Sequence, residues 1–440
     1  MINFEIIYII FTVTWIVVGT SYLKWHPVLV LLISSVFLGF SINLKFINIL
    51  LDIFNGFTST IKKIGLLIFF GTLIGSSLEK SGATTIISLG ILKKFSKLPL
   101  TYIVSLTGFI VSIPVFCDAA FVILSTLNKK LSELSNSSKT TLTVALSTGL
   151  FAPHVLVPPT PGPLAAASTL GLKSIFLLFV CGGLLALILA LVGAIYSENF
   201  IKKSNTLSKE NIKILLDQSK SEKFLSFKLA SSPIWIPIFL MTLRPLIHSK
   251  FYFLTTPTFA LFIGVILSFY LSIKKIKFKS VLNDSIKSAI PIIAITGMGG
   301  ALGTIIQNID IITWFNQVYT ISSLGILIPF LIAATLKTAQ GSSTVAIITT
   351  ASIVAPMISV FGLDNEFGKV LVVLSIGVGS MTVSHANDSY FWIVSQLGGL
   401  NVKTAYKTHT IGTLIQGLVG IFCILIVYNF LKYFELIFSI

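Results

Sequence analysis

Charged side chains are scarce in this chain. Only 10% of its 440 residues are Asp, Glu, Lys or Arg, whereas a soluble domain carries about a quarter. So few charges, with a mean hydropathy of +0.96, exclude an ordinary soluble domain. The composition indicates an integral membrane protein.

Cysteine and arginine are also rare. The three cysteines, Cys117, Cys181 and Cys423, lie far apart with no CxxC spacing, so neither a disulfide framework nor a metal site is indicated. Arg244 is the only arginine, and lysine therefore supplies almost all of the positive charge behind the formal net charge of +16. The lysines cluster between apolar runs, as in cytoplasmic loops of membrane proteins. No aromatic residues interleave with them, so we expect no nucleic-acid partner.

Long apolar runs fill the chain instead. Five of them, each long enough or nearly so to cross a bilayer as a helix, are 4–19, 27–42, 174–194, 257–273 and 412–428. Apolar stretches broken by Gly and Pro make up most of the remainder. We therefore predict an all-α polytopic protein of the cell membrane, with about 10 to 14 membrane segments.

The chain repeats itself at an offset of 228 residues. The segment from Gly71 aligns with that from Gly299 (299 − 71), and the segment from Leu146 aligns with that from Leu374 (374 − 146). Transporters are often built from two such repeats, frequently inverted. We predict a first repeat over 1–197, a charged and cytoplasmic linker over 198–228 and a second repeat over 229–440. The lysine clusters conflict over the membrane orientation, which stays open.

Two breaks in the apolar pattern fall at matching positions of the repeats. "PPTPGP" at 158–163 cannot continue a helix. It corresponds to "SHANDS" at 384–389, whose side chains favour turns and caps. The offset pairs Thr160 with Asp388 and places Asn387 beside them. We expect both breaks at membrane depth, lining a cavity or buried in protein, with ordinary surface loops as the alternative.

Two charged residues lie within apolar segments. Asp118 follows a proline in "IPVFCDAAFVIL", and Lys337 opens the polar run that continues to Gln340, Gly341, Ser342 and Ser343. Charges inside the membrane are usually functional or paired, so an Asp118–Lys337 structural pair is the plain alternative. Gly341 and the hydroxyl residues after it predict a helix start whose N–H groups could face an anion, or a polar helix-packing face.

The histidines and one glycine motif are less specific indicators of function. His154 and His385 lie beside the matched breaks and are candidates for proton relay, although a structural hydrogen-bonded role is equally compatible with their positions. "GMGGALG" at 297–303 resembles a dinucleotide loop, but its glycines are misplaced and no strand precedes it. Close helix packing explains it better, and no cofactor is expected.

Four motifs in this order carry a family resemblance: "FCDAAFVIL", "PHVLVPPTPGPLAAA", "TAQGSSTVA" and "SHANDSYFW". Across nearly the whole chain they resemble the gluconate permease (GntP) family of proton symporters, within the wider ion-transporter group. The resemblance implies two inverted repeats with broken helices or re-entrant hairpins around a central site, and a homodimer. It points to Asp118, the turn at 158–163, the segment 340–344 and the segment 385–389. Thr160 departs from the pattern, because gluconate transporters of the family often carry His there.

The resemblance implies import of gluconate or a related hydroxylated carboxylate, or of D-serine, together with H⁺. In the mechanism we hypothesise, Lys337 or the N–H groups of 341–343 hold the carboxylate. Asp118 or Asp388 takes the proton. Thr160, Ser342, Ser343 and Asn387 bind hydroxyls. A passive channel is a second possibility, and an intramembrane hydrolase a third, although no nucleophile motif is present. We expect no enzyme activity.

Overall fold

The computed structural model consists of α-helices joined by short connections. It describes residues 4–19, 23, 25–206, 208, 211, 226–243, 249–272, 278–306, 308–309, 325–359, 361–386 and 388–438. Within these ranges no strand occurs, and the expectation of an all-α polytopic membrane protein is confirmed.

Nine α-helices lie in the described part of the first half of the chain. They are α1 (Phe4–Val17), α2 (Pro27–Ser41), α3 (Phe46–Lys80), α4 (Ala83–Lys94), α5 (Leu100–Ser112), α6 (Cys117–Ser135), α7 (Lys139–Leu156), α8 (Pro161–Thr169) and α9 (Ile175–Tyr196). The described helices of the second half are α10 (Phe227–Thr242), α11 (Pro257–Ser272), α12 (Phe278–Ile306), α13 (Leu327–Gln340), α14 (Ser343–Val354), α15 (Glu366–Met381), α16 (Ser389–Gly398), α17 (Val402–Ala405) and α18 (Ile411–Phe438).

Helix bounds in the two halves follow the sequence offset. Helix α8 begins at Pro161 and α16 at Ser389, 228 residues later (389 − 161). Helices α7 and α15 begin 227 residues apart (366 − 139), as do α5 and α13 (327 − 100). These three described helix pairs thus occur in the same order in both halves. The exact domain bounds and the inverted orientation stay predictions.

Several helices can cross a membrane by length and composition. Among the described residues, four meet the criterion on their own: Lys139–Thr169, Ile175–Ile201, Phe278–Ile306 and Val402–Phe430. The pair Phe46–Lys63 and Gly65–Lys80, bent by 45°, meets the criterion as a broken span or a re-entrant loop. Six shorter apolar helices of 10–17 residues accompany them. Within Lys139–Thr169, 94% of the 18-residue apolar stretch that meets the criterion is buried inside the protein. This span therefore lies at the centre of the bundle.

Helices α3 and α12 form the most extensive helix pair, and glycines set their spacing. A Cβ atom on Gly300 would lie 2.9 Å from the Gly56 carbonyl oxygen and 2.0 Å from Thr60 Oγ1. Gly297, in the same motif, faces the Phe57 ring in the same way. The expectation that "GMGGALG" is a helix-packing motif is therefore confirmed.

Gly300→Ala is expected to destabilise the fold by about 1 to 3 kcal/mol, because overpacking at a backbone-to-backbone contact forces the helices apart. Gly183→Ala is the matched control, since that helical glycine has no neighbour within 4 Å of the added Cβ. Thermal unfolding in detergent would measure both variants. Equal melting temperatures for the two would contradict this account of the α3–α12 contact.

Interrupted helices from the two halves interlock. Helix α8 of the first half packs on α14 of the second, and α16 of the second packs on α6 of the first. Helices α7 and α15 also touch each other at the centre. These contacts place the four breaks, at residues 113–116, 157–160, 341–342 and the described residues 382–386 and 388, in the protein interior.

The predicted linker over 198–228 lies largely outside the described residues. Its first residues continue α9 as a π-helical turn, Ser197–Ile201. Glu198 is buried there, and its carboxylate accepts hydrogen bonds from Thr101 Oγ1 (2.5 Å) and from the backbone N–H of Ser204 (3.0 Å). The start of this charged segment is therefore part of the packed helix bundle, because Glu198 finds hydrogen-bond donors in the protein instead of water.

Candidate functional site

A buried ion pair lies where the breaks meet. Lys337 Nζ, in the last turn of α13, donates a 2.6 Å hydrogen bond to Asp388 Oδ2, and the side chains of the two residues are only 1% and 5% exposed. Lys337 Nζ also lies 5.5 Å from the ring centroid of Phe151 on α7, within the range of a cation–π interaction. Breaking such a pair is costly, because the remaining charge has no solvent to stabilise it.

Asp388 is held by three donors. It is the N-cap of α16, where its Oδ1 accepts from the backbone N–H of Tyr390 at 3.1 Å. Its Oδ2 accepts from Ser384 Oγ at 2.6 Å as well as from Lys337. Asp388 therefore caps the helix that follows the break, as the turn-forming composition predicts.

Ser384 is hydrogen-bonded to a histidine that the sequence analysis did not identify. His409 is fully buried, with Nε2 3.1 Å from Ser384 Oγ and Nδ1 3.0 Å from Ser147 Oγ on α7. It lies in a π-helical turn, Tyr406–Thr410, a distortion that often marks functional sites. A histidine just before the apolar run 412–428 was the available signal. Its partners, 25 and 262 residues away, could not be read from the sequence.

Asp118 lies in the first turn of α6, where the charges of Lys337 and Asp388 both act on it. Its Oδ1 is buried and has no hydrogen-bond partner among the described residues. The structural pair considered for Asp118 is therefore not formed: Lys337 pairs with Asp388 instead. The carboxylate of Asp118 retains an open acceptor site beside this ion pair.

The two predicted histidines occupy different surroundings. His154 is buried in the last turn of α7, and its Nδ1 has no partner among the described residues. Its ring lies 5.9 Å from that of Phe116, just before α6. His385 is partly buried, and its Nε2 lies 3.0 Å from the backbone oxygen of Thr338. The backbone carbonyl of His385 accepts a hydrogen bond from the N–H of Asp388 at 2.8 Å, so the main chain of this histidine forms part of the second-half break.

The first-half break presents a hydroxyl group. Thr160 is the N-cap of α8 and is buried, which argues against a surface loop. Its hydroxyl donates a 2.5 Å hydrogen bond to the Val157 carbonyl, and no side-chain cap bond is made. The oxygen of Thr160 therefore keeps lone pairs for another donor.

The helix start after Lys337 lies later than the sequence suggested. Gly341 has φ 76° and ends α13, with its N–H donating to the Lys337 carbonyl at 2.8 Å. This N–H group is therefore not free for an anion. Ser342 is the N-cap of α14, and Ser343 is its first residue and is buried. The first-turn N–H groups of α14 that lack an intrahelical acceptor are those available to a ligand.

Two predicted site residues cannot be placed by side chain. Asn387 lies outside the described residues, and of Gln340 only the backbone at the end of α13 is described. Their proposed substrate contacts stay predictions.

Interrupted helices from the two halves of the chain, meeting around buried charged and hydroxyl groups, are typical of membrane transporters. The chain belongs to the GntP permease family, whose model matches residues 4–431.

Curated relatives agree with this class, and a solved structure has a similar fold. The gluconate permease of Pseudomonas aeruginosa is 28% identical over 436 residues, which cover 94% of this chain and 95% of that protein. The D-serine transporter DsdX of Escherichia coli K12 is 27% identical over 347 residues, 75% of this chain and 77% of that protein. The fold is similar to the crystal structure of the Alcanivorax borkumensis YdaH transporter, with a TM-score of 0.59 and 12% identity over 87% of this chain and 89% of that one.

Proposed function

We propose that the protein is a proton symporter that imports gluconate or a related small hydroxylated carboxylate across the cell membrane, as a homodimer. The observation that carries this proposal is the buried Lys337–Asp388 pair at the junction of the breaks. A cation inside the membrane that is held by a single carboxylate can exchange that partner for the carboxylate of a substrate. The homodimer rests on the family resemblance.

The surrounding hydroxyl groups suit a polyhydroxylated substrate. Thr160 keeps a free acceptor, and Ser342 Oγ, which accepts from the N–H of Val345 at 3.3 Å, keeps its proton for donation. Ser343 stands at the start of the same helix. Each hydroxyl of gluconate can both donate and accept, so such a mixed set of partners can satisfy it.

Charge counting supports proton coupling. In their ionised forms, Asp118 and Asp388 carry two negative charges against the one positive charge of Lys337. A substrate carboxylate adds a third negative charge to a site that has little access to water. Uptake of one proton by Asp118 or Asp388 restores the balance, and since buried unpaired charges are strongly unfavourable, substrate and proton are expected to bind together.

D-serine is the second candidate, favoured by the open oxygen of Asp118. D-serine carries an ammonium group as well as a carboxylate. The unpartnered Asp118 Oδ1 offers that ammonium an acceptor beside Lys337, which would hold the carboxylate. Gluconate offers no cation to Asp118, so the two substrates differ in how they would satisfy this oxygen.

Purified protein in liposomes with an inwardly directed proton gradient is expected to accumulate labelled gluconate above the external concentration. Collapse of the gradient with a protonophore should abolish accumulation, because the proton supplies the driving force. Counterflow in the presence of unlabelled gluconate, D-serine and other sugar acids would rank the substrates. Equilibration without accumulation would indicate a channel, and conversion of the labelled compound would indicate a hydrolase; either outcome contradicts the symporter proposal.

A further inference from the structure

Five buried side chains form one continuous hydrogen-bonded chain across the two halves of the protein. Ser147 Oγ lies 3.0 Å from His409 Nδ1, and His409 Nε2 lies 3.1 Å from Ser384 Oγ. Ser384 Oγ and Lys337 Nζ each lie 2.6 Å from Asp388 Oδ2. Ser147, Ser384 and His409 are fully buried, and Asp388 is 4% exposed. Water therefore does not complete any of these hydrogen bonds.

Donor counting gives the arrangement in which Asp388 is ionised. Ser384 has one hydroxyl proton, and its 2.6 Å contact with the carboxylate has the length of a charge-assisted O–H···O⁻ bond. The oxygen of Ser384 must then accept from His409 Nε2–H. A neutral imidazole has only one N–H group, so Nδ1 accepts from the hydroxyl of Ser147. Every donor and acceptor along the chain is satisfied.

The same atoms can also form these hydrogen bonds with the donor and acceptor roles reversed. If Asp388 carries a proton on Oδ2, it donates to Ser384, and the hydroxyl of Ser384 donates to His409 Nε2. The imidazole proton is then on Nδ1 and is donated to Ser147. The hydroxyl of Ser147 turns to the Val144 carbonyl, which lies 3.0 Å away. This arrangement is also complete, and it holds one proton more than the first, on Asp388.

We infer that His409 is a positioning residue that lets Asp388 take up and release the coupled proton by switching its own tautomer. The imidazole is suited to this role because its two nitrogens face opposite directions and can exchange donor and acceptor roles without a net charge. Without the switch, protonation of Asp388 would bring two hydroxyl protons together or leave a buried acceptor unmatched, which is costly in a dry site.

The inference rests on the proposed proton symport and links it to substrate binding. When a substrate carboxylate draws the ammonium of Lys337 away, Asp388 becomes a buried charge without a cation. Each proton then shifts one bond toward Asp388: the hydroxyl proton of Ser384 passes to Asp388 Oδ2, the Nε2 proton of His409 passes to Ser384 Oγ and the hydroxyl proton of Ser147 passes to His409 Nδ1. The Ser147 oxygen takes up the proton that comes from the aqueous phase, so the whole chain gains one proton. The charges that act on His409 are those of Asp388 and Lys337, and the ring of Tyr390 packs against it at 5.7 Å. Substrate and proton are thus bound by the two members of one ion pair.

His409→Gln tests this role, because glutamine keeps a hydrogen-bonding amide but cannot move a proton between two opposed nitrogens. In liposomes with labelled gluconate, we expect counterflow at equal pH close to that of the unchanged protein. We expect proton-driven accumulation to fall about tenfold or more, within the usual range of coupling between two binding events. The number of protons taken up per gluconate should fall below that of the unchanged protein, which a purely structural defect would not cause.

Ser384→Ala provides a second test in case His409→Gln does not fold. It removes the link between His409 and Asp388 and leaves the Lys337–Asp388 contact in place. Ser380→Ala is the matched control, because Ser380 is fully buried near the same break and its hydroxyl donates to the Gly377 carbonyl at 2.7 Å, away from the chain of hydrogen bonds. The control is expected to keep the unchanged accumulation and proton count.

The outcomes separate this inference from the proposed function. If the unchanged protein accumulates gluconate with protons and either His409→Gln or Ser384→Ala does so with the same ratio, the tautomer switch is wrong and the symporter proposal stands. If both variants lose counterflow as completely as accumulation, the residues are structural and the inference is also wrong. If the unchanged protein shows no proton-driven accumulation, the proposed function itself fails, and the inference fails with it.

Discussion

Lys337→Met is expected to lower the free energy of unfolding by about 3 to 5 kcal/mol, because it leaves Asp388 as a buried charge without its cation. Methionine has nearly the length of lysine, so the loss would come from the charge and not from a cavity. Substrate binding should be lost as well, since the carboxylate would have no ammonium to bind. Thermal unfolding in detergent and gluconate counterflow would measure the two effects separately.

The double variant Lys337→Met with Asp388→Asn distinguishes stability from function. Removing both charges together is expected to restore most of the lost stability, because neutralising both members of a buried ion pair is often nearly neutral. Transport should stay absent in the double variant. Recovery of transport together with stability would show that Lys337 acts only as a structural partner of Asp388.

Asp388→Asn is expected to abolish proton-driven accumulation while leaving part of the counterflow, because asparagine can accept from Lys337 but cannot take up the coupled proton. We expect a fall in accumulation of about 5- to 150-fold, the usual span of coupling between two ligands. Paired measurements of pH change and gluconate uptake in liposomes would give the proton count directly.

Asp118→Asn is the variant to compare with Asp388→Asn, because it makes the same change at the other candidate carboxylate. Its fold is expected to tolerate the change, since Asp118 Oδ1 has no hydrogen-bond partner in the described part of the chain. Proton-driven accumulation of gluconate is expected to persist. Uncoupling in Asp118→Asn alone would assign the proton to Asp118 and contradict the role given to Asp388. Intact coupling in both variants would remove the carboxylates from the proton pathway.

The interruptions of the helices were predictable from local chemistry. Prolines at 158–163 and turn-forming side chains at 384–389 predicted breaks, and the structure ends α7 at Leu156 and α15 at Met381. The prediction succeeded because a missing N–H group or a competing side-chain hydrogen bond acts within a few residues. The displacement of the helix start from Gly341 to Ser343 shows the limit, since a glycine is equally able to end a helix in the left-handed conformation.

The partners of the charged residues were not predictable. Sequence reasoning considered Asp118 as the structural partner of Lys337, whereas the structure pairs Lys337 with Asp388, 51 residues away. His409 escaped notice altogether because its two hydrogen-bond partners come from α7 and from the second-half break. Such contacts depend on how α7, α13, α15 and α18 pack, and a single sequence contains no measure of those distances.

The sequence by itself determined that this protein is a helical membrane protein with a duplicated architecture, interrupted helices and a few polar residues inside apolar segments. These properties follow from hydropathy, from proline and glycine and from the cost of burying charge, all of which act locally along the chain. Only the tertiary structure decided which charges pair, and that a serine–histidine–serine chain reaches Asp388. The physical reason is that a hydrogen bond needs two groups within about 3 Å, and packing between distant helices alone sets that separation.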